Sequence, residues 1–102
     1  MSYKYIETKK SLKDKDWILK SFSKQIQDKL VYFIREILDS PRDKNALGSP
    51  EQLKHSKIEL WSRELTKKDR IIYGIEAGAN YDMPEENEII VFYQYLGHYS
   101  DK

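Results

Sequence analysis

The segment K-Q-I-Q-D-K-L-V-Y-F-I-R-E-I-L, residues 24–38, decides the fold. Ile26, Leu30, Phe33 and Ile37 recur at helical spacing, and Val31, Ile34 and Leu38 form a second row beside them. A stripe that wide is enough to cover a sheet. Asp39-Ser40-Pro41 ends the helix, because the residue before a proline disfavours the α region. A helix of this kind requires strands to lie on.

Those strands are expected mostly downstream. Residues 42–50 are polar, include Gly48 and Pro50, and predict a loop. Residues 58–65 then read as a strand, followed by a turn at 66–69 and a second strand at 70–76. Alternation in the second strand puts Arg70, Ile72 and Gly74 on one face and Ile71, Tyr73 and Ile75 on the other. Residues 77–87 read as a loop. A third strand is expected over 88–96, with Ile90, Phe92 and Leu96 on one side and Ile89, Val91, Tyr93 and Tyr95 on the other; a strand apolar on both faces is usually central. Upstream, residues 3–8 predict a first strand. Residues 12–20 predict a short helix with Ser11 and Asp14 as a weak capping pair and Leu12, Ile18, Leu19 and Phe22 on its inner face. The order β-α-α-β-β-β implies an α+β domain, two N-terminal helices packed on a mostly antiparallel sheet.

At 102 residues one domain, residues 1–102, is expected. With no cysteine, disulfides and thiolate metal sites are excluded. No apolar run approaches the ~20 residues of a membrane span, and M-S-Y-K-Y-I-E-T-K-K lacks the apolar core of a signal peptide, so a cytoplasmic protein is expected. The formal net charge of +1 argues against a polyanion partner at first sight. Asp82, Glu85, Glu86 and Glu88 lie in one short segment, however, and removing those four negative charges from +1 leaves +5 for the remainder. A local basic patch matters more to a nucleic-acid surface than the total does.

A chemical site is suggested by a set of residues and by no single one. Glu51 follows a Gly-Ser-Pro turn, at a loop tip or a helix start. Arg70 opens a strand, and His55 and His98 are the two histidines, too far apart to suggest a metal site. No phosphate-binding glycine loop or nucleophile elbow is present. Metal-free RNA cleavage needs a base for the 2′-hydroxyl, a cation for the phosphoryl oxygens and an acid for the departing 5′-oxygen. A carboxylate, an arginine and a histidine cover these three roles. Tyr93, Tyr95 and Tyr99 offer aromatic surface on which bases could stack, although sheet packing is the simpler account of Tyr93.

The runs P-E-Q-L-K-H, W-S-R-E-L-T-K-K-D-R-I-I-Y and G-H-Y, residues 50–55, 61–73 and 97–99, resemble the YoeB/Txe branch of the RelE/ParE toxin superfamily, whose pattern is P-E-P-L-K-H, W-S-R-R-I, H-R-L-V-Y and a terminal H-Y. The resemblance implies a fold like the small microbial ribonucleases and a ribosome-dependent mRNA endonuclease that needs no cofactor. It implies Glu51 as general base, His98 as general acid and Arg70 as the transition-state cation. Lys54 and Arg63 are implied as substrate contacts, and Tyr99 as a residue orienting the nucleotide. His55 matches a family position without an assigned role. The partners implied are mRNA on the ribosome and a cognate antitoxin, with a homodimer also allowed.

Several positions depart from that pattern. Glu64 replaces the second arginine of W-S-R-R, Gly97 replaces a bulkier residue, Ser100-Asp101-Lys102 extends past His-Tyr, and the acidic loop 76–88 is longer than usual. Two rival readings follow from the same residues. One is a non-enzymatic gyrase-binding toxin of the ParE type, against which the acid–base set argues. The other is a degenerate relative that only binds its antitoxin, which Glu64 and the acidic loop keep open.

Overall fold

The computed structural model describes residues 2–98. Five strands, β1 (Tyr5–Glu7), β2 (Glu51–Leu53), β3 (Glu59–Glu64), β4 (Arg70–Glu76) and β5 (Ile89–Gln94), form one sheet in the order β1-β5-β4-β3-β2. The β1–β5 pair is parallel and the other three pairs are antiparallel. Two helices, α1 (Lys9–Ser21) and α2 (Lys24–Asp39), cover one face. The α+β expectation is met, with β5 flanked on both sides as its apolar character required.

Helix α2 begins at Ser23, whose hydroxyl accepts the Ile26 amide, and ends at Ser40 before the proline. Leu30, Phe33 and Ile37 are buried against Trp61, Ile71, Tyr73, Ile90 and Phe92. Burying each such side chain is worth about 1.5–3 kcal/mol. The second row is only partly engaged: Ile34 and Leu38 are half-buried and Val31 is exposed.

Helix α1 corrects the expectation for its cap and its face. Thr8 is the N-cap, accepting the Ser11 amide at 3.2 Å, and the helix starts at Lys9. Ser11 lies inside the helix and is buried, as is Ile18, whereas Leu12, Trp17 and Leu19 are exposed. The inward positions include polar residues because they bond to other elements. Lys15 pairs with Glu7 of β1 at 2.7 Å, and the other Glu7 oxygen accepts the Tyr95 hydroxyl at 2.8 Å.

Three further differences lie in the sheet. Residues 51–53, read as a loop tip or helix start, form the edge strand β2. Between β4 and β5 the register slips at Ile72/Tyr73: Tyr73 faces Phe92 but Ile72 faces Gln94, leaving Tyr93 as the extra residue of a bulge. Finally β5 ends at Gln94, so Tyr95 returns to the helix side beside Phe92 instead of sharing a face with Tyr93. Among the described residues, no helix is long and apolar enough to cross a membrane.

Candidate functional site

The open face of the sheet, away from the two helices, has a buried centre of Leu60, Ser62 and Ile72 and keeps exposed surface at Glu51, Glu64, Arg70 and Gln94. Its row Glu51–Ser62–Ile72–Gln94 crosses four strands, and the next row pairs Glu64 of β3 with Arg70 of β4. Leu53, Leu60 and Ile72 form a small apolar floor on this face, with Tyr93 packed against it. Strands lie about 4.8 Å apart and rise about 3.3 Å per residue, so the Glu51 and Arg70 Cα atoms are roughly 12 Å apart.

His98 is held at the same end of the sheet by the backbone. The Arg70 amide donates to the Gly97 carbonyl at 2.9 Å, and the Gln94 carboxamide nitrogen donates to both the Arg70 and Gly97 carbonyls at 3.2 Å. Gly97 has φ +100°, a conformation that side chains resist, and its amide donates to the Asp69 carboxylate at 2.9 Å. The chain turns there, and the next residue, His98, emerges exposed beside Arg70. Glu51 and Arg70 thus lie on one face of the sheet, and the Gly97 turn before His98 is bonded to the Arg70 backbone. Tyr99 lies outside the described residues.

Lys54 follows β2 and is exposed, as is His55. Lys54 and Glu51 line a cavity of about 660 Å³ at the β2 edge, together with Lys44 and Lys57. Three lysines therefore border the carboxylate, an arrangement suited to holding a phosphate chain beside it. Glu59, which also lines the cavity, has its carboxyl held below the usual range, chiefly by hydrogen bonds from Arg42, which also ties Glu88 of the acidic segment.

Arg63 is placed differently from the expectation of a substrate contact. It is 2% exposed and lies on the helix-covered face. Its guanidinium sits 3.9 Å above the Phe33 ring, donates to the Leu47 carbonyl at 2.6 Å and pairs with Glu36 of α2. Gly48 closes this arrangement at φ +86°: a Cβ there would come within 2.9 Å of both the Glu64 carbonyl and the Phe33 ring. Arg63 pins the 42–50 loop to the core and is almost wholly withdrawn from solvent.

The tyrosines also divide. Tyr95 is fully buried, and burial with the Glu7 hydrogen bond raises its phenol well above the ordinary value, so it cannot serve as a stacking surface. Tyr93 is half-exposed on the open face, and its hydroxyl donates to Glu76, which also accepts Tyr81 from the 3₁₀ turn Gly78–Tyr81. Burial and the Glu76 bond raise the Tyr93 phenol too. The long loop is thereby tied down onto the sheet. Sequence reasoning did not single out Asp69 and Gln94, which shape the His98 turn; their polarity in otherwise apolar or turn positions was the available signal.

A two-helix, five-stranded domain with this open face has the architecture of the YoeB and RelE toxins. A YoeB/ParE toxin from Agrobacterium tumefaciens superposes with a TM-score of 0.74 at 25% identity, covering 94% of this chain and 99% of the other. A YoeB dimer from Staphylococcus aureus gives 0.71 at 18% identity, over 97% and 100%. An archaeal RelE–RelB complex from Pyrococcus horikoshii OT3 gives 0.67 at 16% identity, over 95% and 96%. No curated protein matches the chain in sequence. The chain belongs to the YoeB-like toxins of bacterial type II toxin–antitoxin systems, whose family model matches residues 8–99.

Proposed function

We propose that this toxin is an mRNA endonuclease that cuts on translating ribosomes and so inhibits translation in the cytoplasm. The observation that supports this most is the bond from the Arg70 amide to the Gly97 carbonyl, which sets His98 beside Arg70 at the end of the sheet that Glu51 shares. Glu51 takes the proton of the 2′-hydroxyl, whose oxygen attacks the adjacent phosphorus. Arg70 stabilises the charge gathering on the phosphoryl oxygens, and His98 protonates the leaving 5′-oxygen. The products are a 2′,3′-cyclic phosphate and a 5′-hydroxyl. No cofactor enters these steps. Lys54, with its neighbouring lysines, holds the RNA backbone, and Tyr99 orients the nucleotide. Arg63 is assigned a structural part only.

The cognate antitoxin covers the same cationic region, Lys54, Arg70 and the lysines of the β2 edge. Solved YoeB–YefM complexes from Staphylococcus aureus, 19% identical, and the YoeB dimer from that organism support an antitoxin partner and a homodimer as the forms to look for. Primer extension on an mRNA translated in vitro, with and without the protein, tests the activity: new 5′ ends inside translated codons are expected. One observation favours a second reading. Glu64 faces Arg70 directly across β3 and β4, placing a negative charge where the family pattern has a positive one. A wild type that leaves translated mRNA intact would favour an antitoxin-binding toxin without nuclease activity.

A further inference from the structure

The chain between β5 and His98 is held by an unusual concentration of charge. Three consecutive backbone amides donate to carboxylates. Those of Tyr95 and Leu96 both donate to Asp14 Oδ2, at 3.0 and 3.1 Å, and that of Gly97 donates to Asp69 Oδ1 at 2.9 Å. Lys10, one turn earlier on α1, clasps the same place from the other side: its Nζ lies 2.8 Å from Asp14 Oδ2 and 3.0 Å from the Leu96 carbonyl oxygen. The Asp14 side chain is 13% exposed, so water competes weakly for these bonds. They end the ladder at Gln94, send Tyr95 into the core and deliver Gly97 to its positive φ.

The geometry points to Asp14 as a positioning residue for the general acid: it fixes the turn that presents His98 and does not itself touch RNA. This inference rests on the nuclease reading above. Without Asp14 the Tyr95 and Leu96 amides lose their acceptor, and the turn keeps its contacts to Asp69, Gln94, Arg70 and the Lys10 ammonium. A displacement on the order of 1 Å at a reacting group costs about 10²-fold in rate. Arg70 and Lys54 are untouched, so the loss falls on kcat with little change in KM.

Four measurements test this. On ordinary mRNA, Asp14→Ala lowers kcat by about 10- to 100-fold, while Asp14→Asn, which keeps one acceptor oxygen, stays within about threefold of wild type. Equal losses in the two variants would overturn the acceptor role. On an mRNA whose scissile 5′-oxygen is replaced by sulfur, the leaving group needs no acid, so the Asp14→Ala deficit should shrink as the His98→Ala deficit does; a deficit of the same size on both substrates would show that Asp14 does not act through His98. In the double variant the two losses should fail to add. Amide exchange on the free protein supplies the fourth measurement. The Tyr95 and Leu96 amides should exchange faster in Asp14→Ala and stay protected in Asp14→Asn; unchanged protection in both would overturn the anchoring. If the wild type cuts neither RNA, the nuclease reading fails, and the exchange result still decides whether Asp14 sets this turn.

Discussion

The two faces of the sheet carry an arginine each, and the contrast between them explains much of the molecule. Arg63, on the covered face, is surrounded: an aromatic ring beneath, a carbonyl, a carboxylate and the close backbone of Gly48. Arg70, seven residues later and on the other face, has its backbone bonded to the turn that presents His98 while its side chain is half-exposed. One cation holds a loop to the core; the other keeps part of its surface exposed. Charge alone does not distinguish them. The distinction lies in which residues share their side of the strand.

The sharpest way to break this contrast is to measure both faces for rate and stability. His98→Ala should cut the cleavage rate by about 10²–10⁴-fold, the usual share of a general acid. Arg70→Ala should cost on the order of 10²–10³-fold, by analogy with a lost oxyanion donor. Both should leave the denaturant midpoint nearly where it was. Replacing the 2′-hydroxyl of the scissile nucleotide by hydrogen should abolish cleavage. Undiminished cutting by His98→Ala, or cutting of the deoxy substrate, would remove the chemistry assigned to the open face.

Arg63→Ala should do the reverse. Removing the guanidinium leaves Glu36, the Leu47 carbonyl and a void above Phe33, and breaking a buried pair of this kind costs about 3 kcal/mol or more. Glu36 keeps about a third of its side chain exposed, which favours the lower end of that range. Urea unfolding gives the stability, and single-turnover cleavage on the remaining folded protein should be close to normal. A stable Arg63→Ala with a raised KM would return Arg63 to the substrate contacts.

The covered face was the more legible of the two. Helix α2 announced itself because its inner positions are uniformly apolar, and the strands followed from alternation. Alternation would also have placed Arg63, between Trp61 and Leu65, on the buried side; the motif match pointed to RNA instead. Helix α1 was misjudged because its inner face includes Ser11, Asp14 and Lys15, whose partners lie in β1 and in the turn before His98, far away in sequence. Strand β2 is three residues long and has no periodicity to detect. Tyr95 was assigned to the wrong face because a bulge and a strand end both interrupt the alternation. Glu51, Arg70 and His98 were visible as residue types, but the strand register of Glu51 and Arg70 and the Arg70–Gly97 backbone bond are not encoded by spacing.

Alkaline titration compares the faces by their tyrosines. Tyr73 donates to the Pro41 carbonyl at 2.7 Å, and burial raises its phenol; Tyr95 is raised by burial and Glu7, and Tyr93 by burial and Glu76. For a group whose folded pKa is raised, stability is fully present below the unfolded value, about 10 for tyrosine, and falls as pH rises above it. Phenolate absorbance follows these three groups through an alkaline titration. Tyr73, Tyr93 and Tyr95 should ionise only as circular dichroism reports loss of the fold. Reversible ionisation of all eight tyrosines in a folded protein would contradict this account of the core.

The smallest expected effect concerns Glu64, and it decides how far the two arginines differ. Each arginine has a carboxylate nearby: Glu36 pairs with Arg63, and Glu64 faces Arg70 across the strand pair. Facing side chains on antiparallel strands lie about 4.5–5.5 Å apart at Cβ, so Glu64 competes with a phosphate for the Arg70 charge. The interaction is partly solvated and worth less than about 1 kcal/mol. Glu64→Gln should therefore lower KM for ribosome-bound mRNA by about two- to fivefold, with kcat nearly unchanged, and the gain should shrink as added salt screens the pair. If the substitution instead lowers kcat, Glu64 steadies Arg70 much as Glu36 steadies Arg63, and the open face is built on the same arginine–carboxylate logic as the core. A KM that stays fixed at low salt would mean that Glu64 leaves the Arg70 charge undiminished, and the family departure at this position would then carry no weight against nuclease activity.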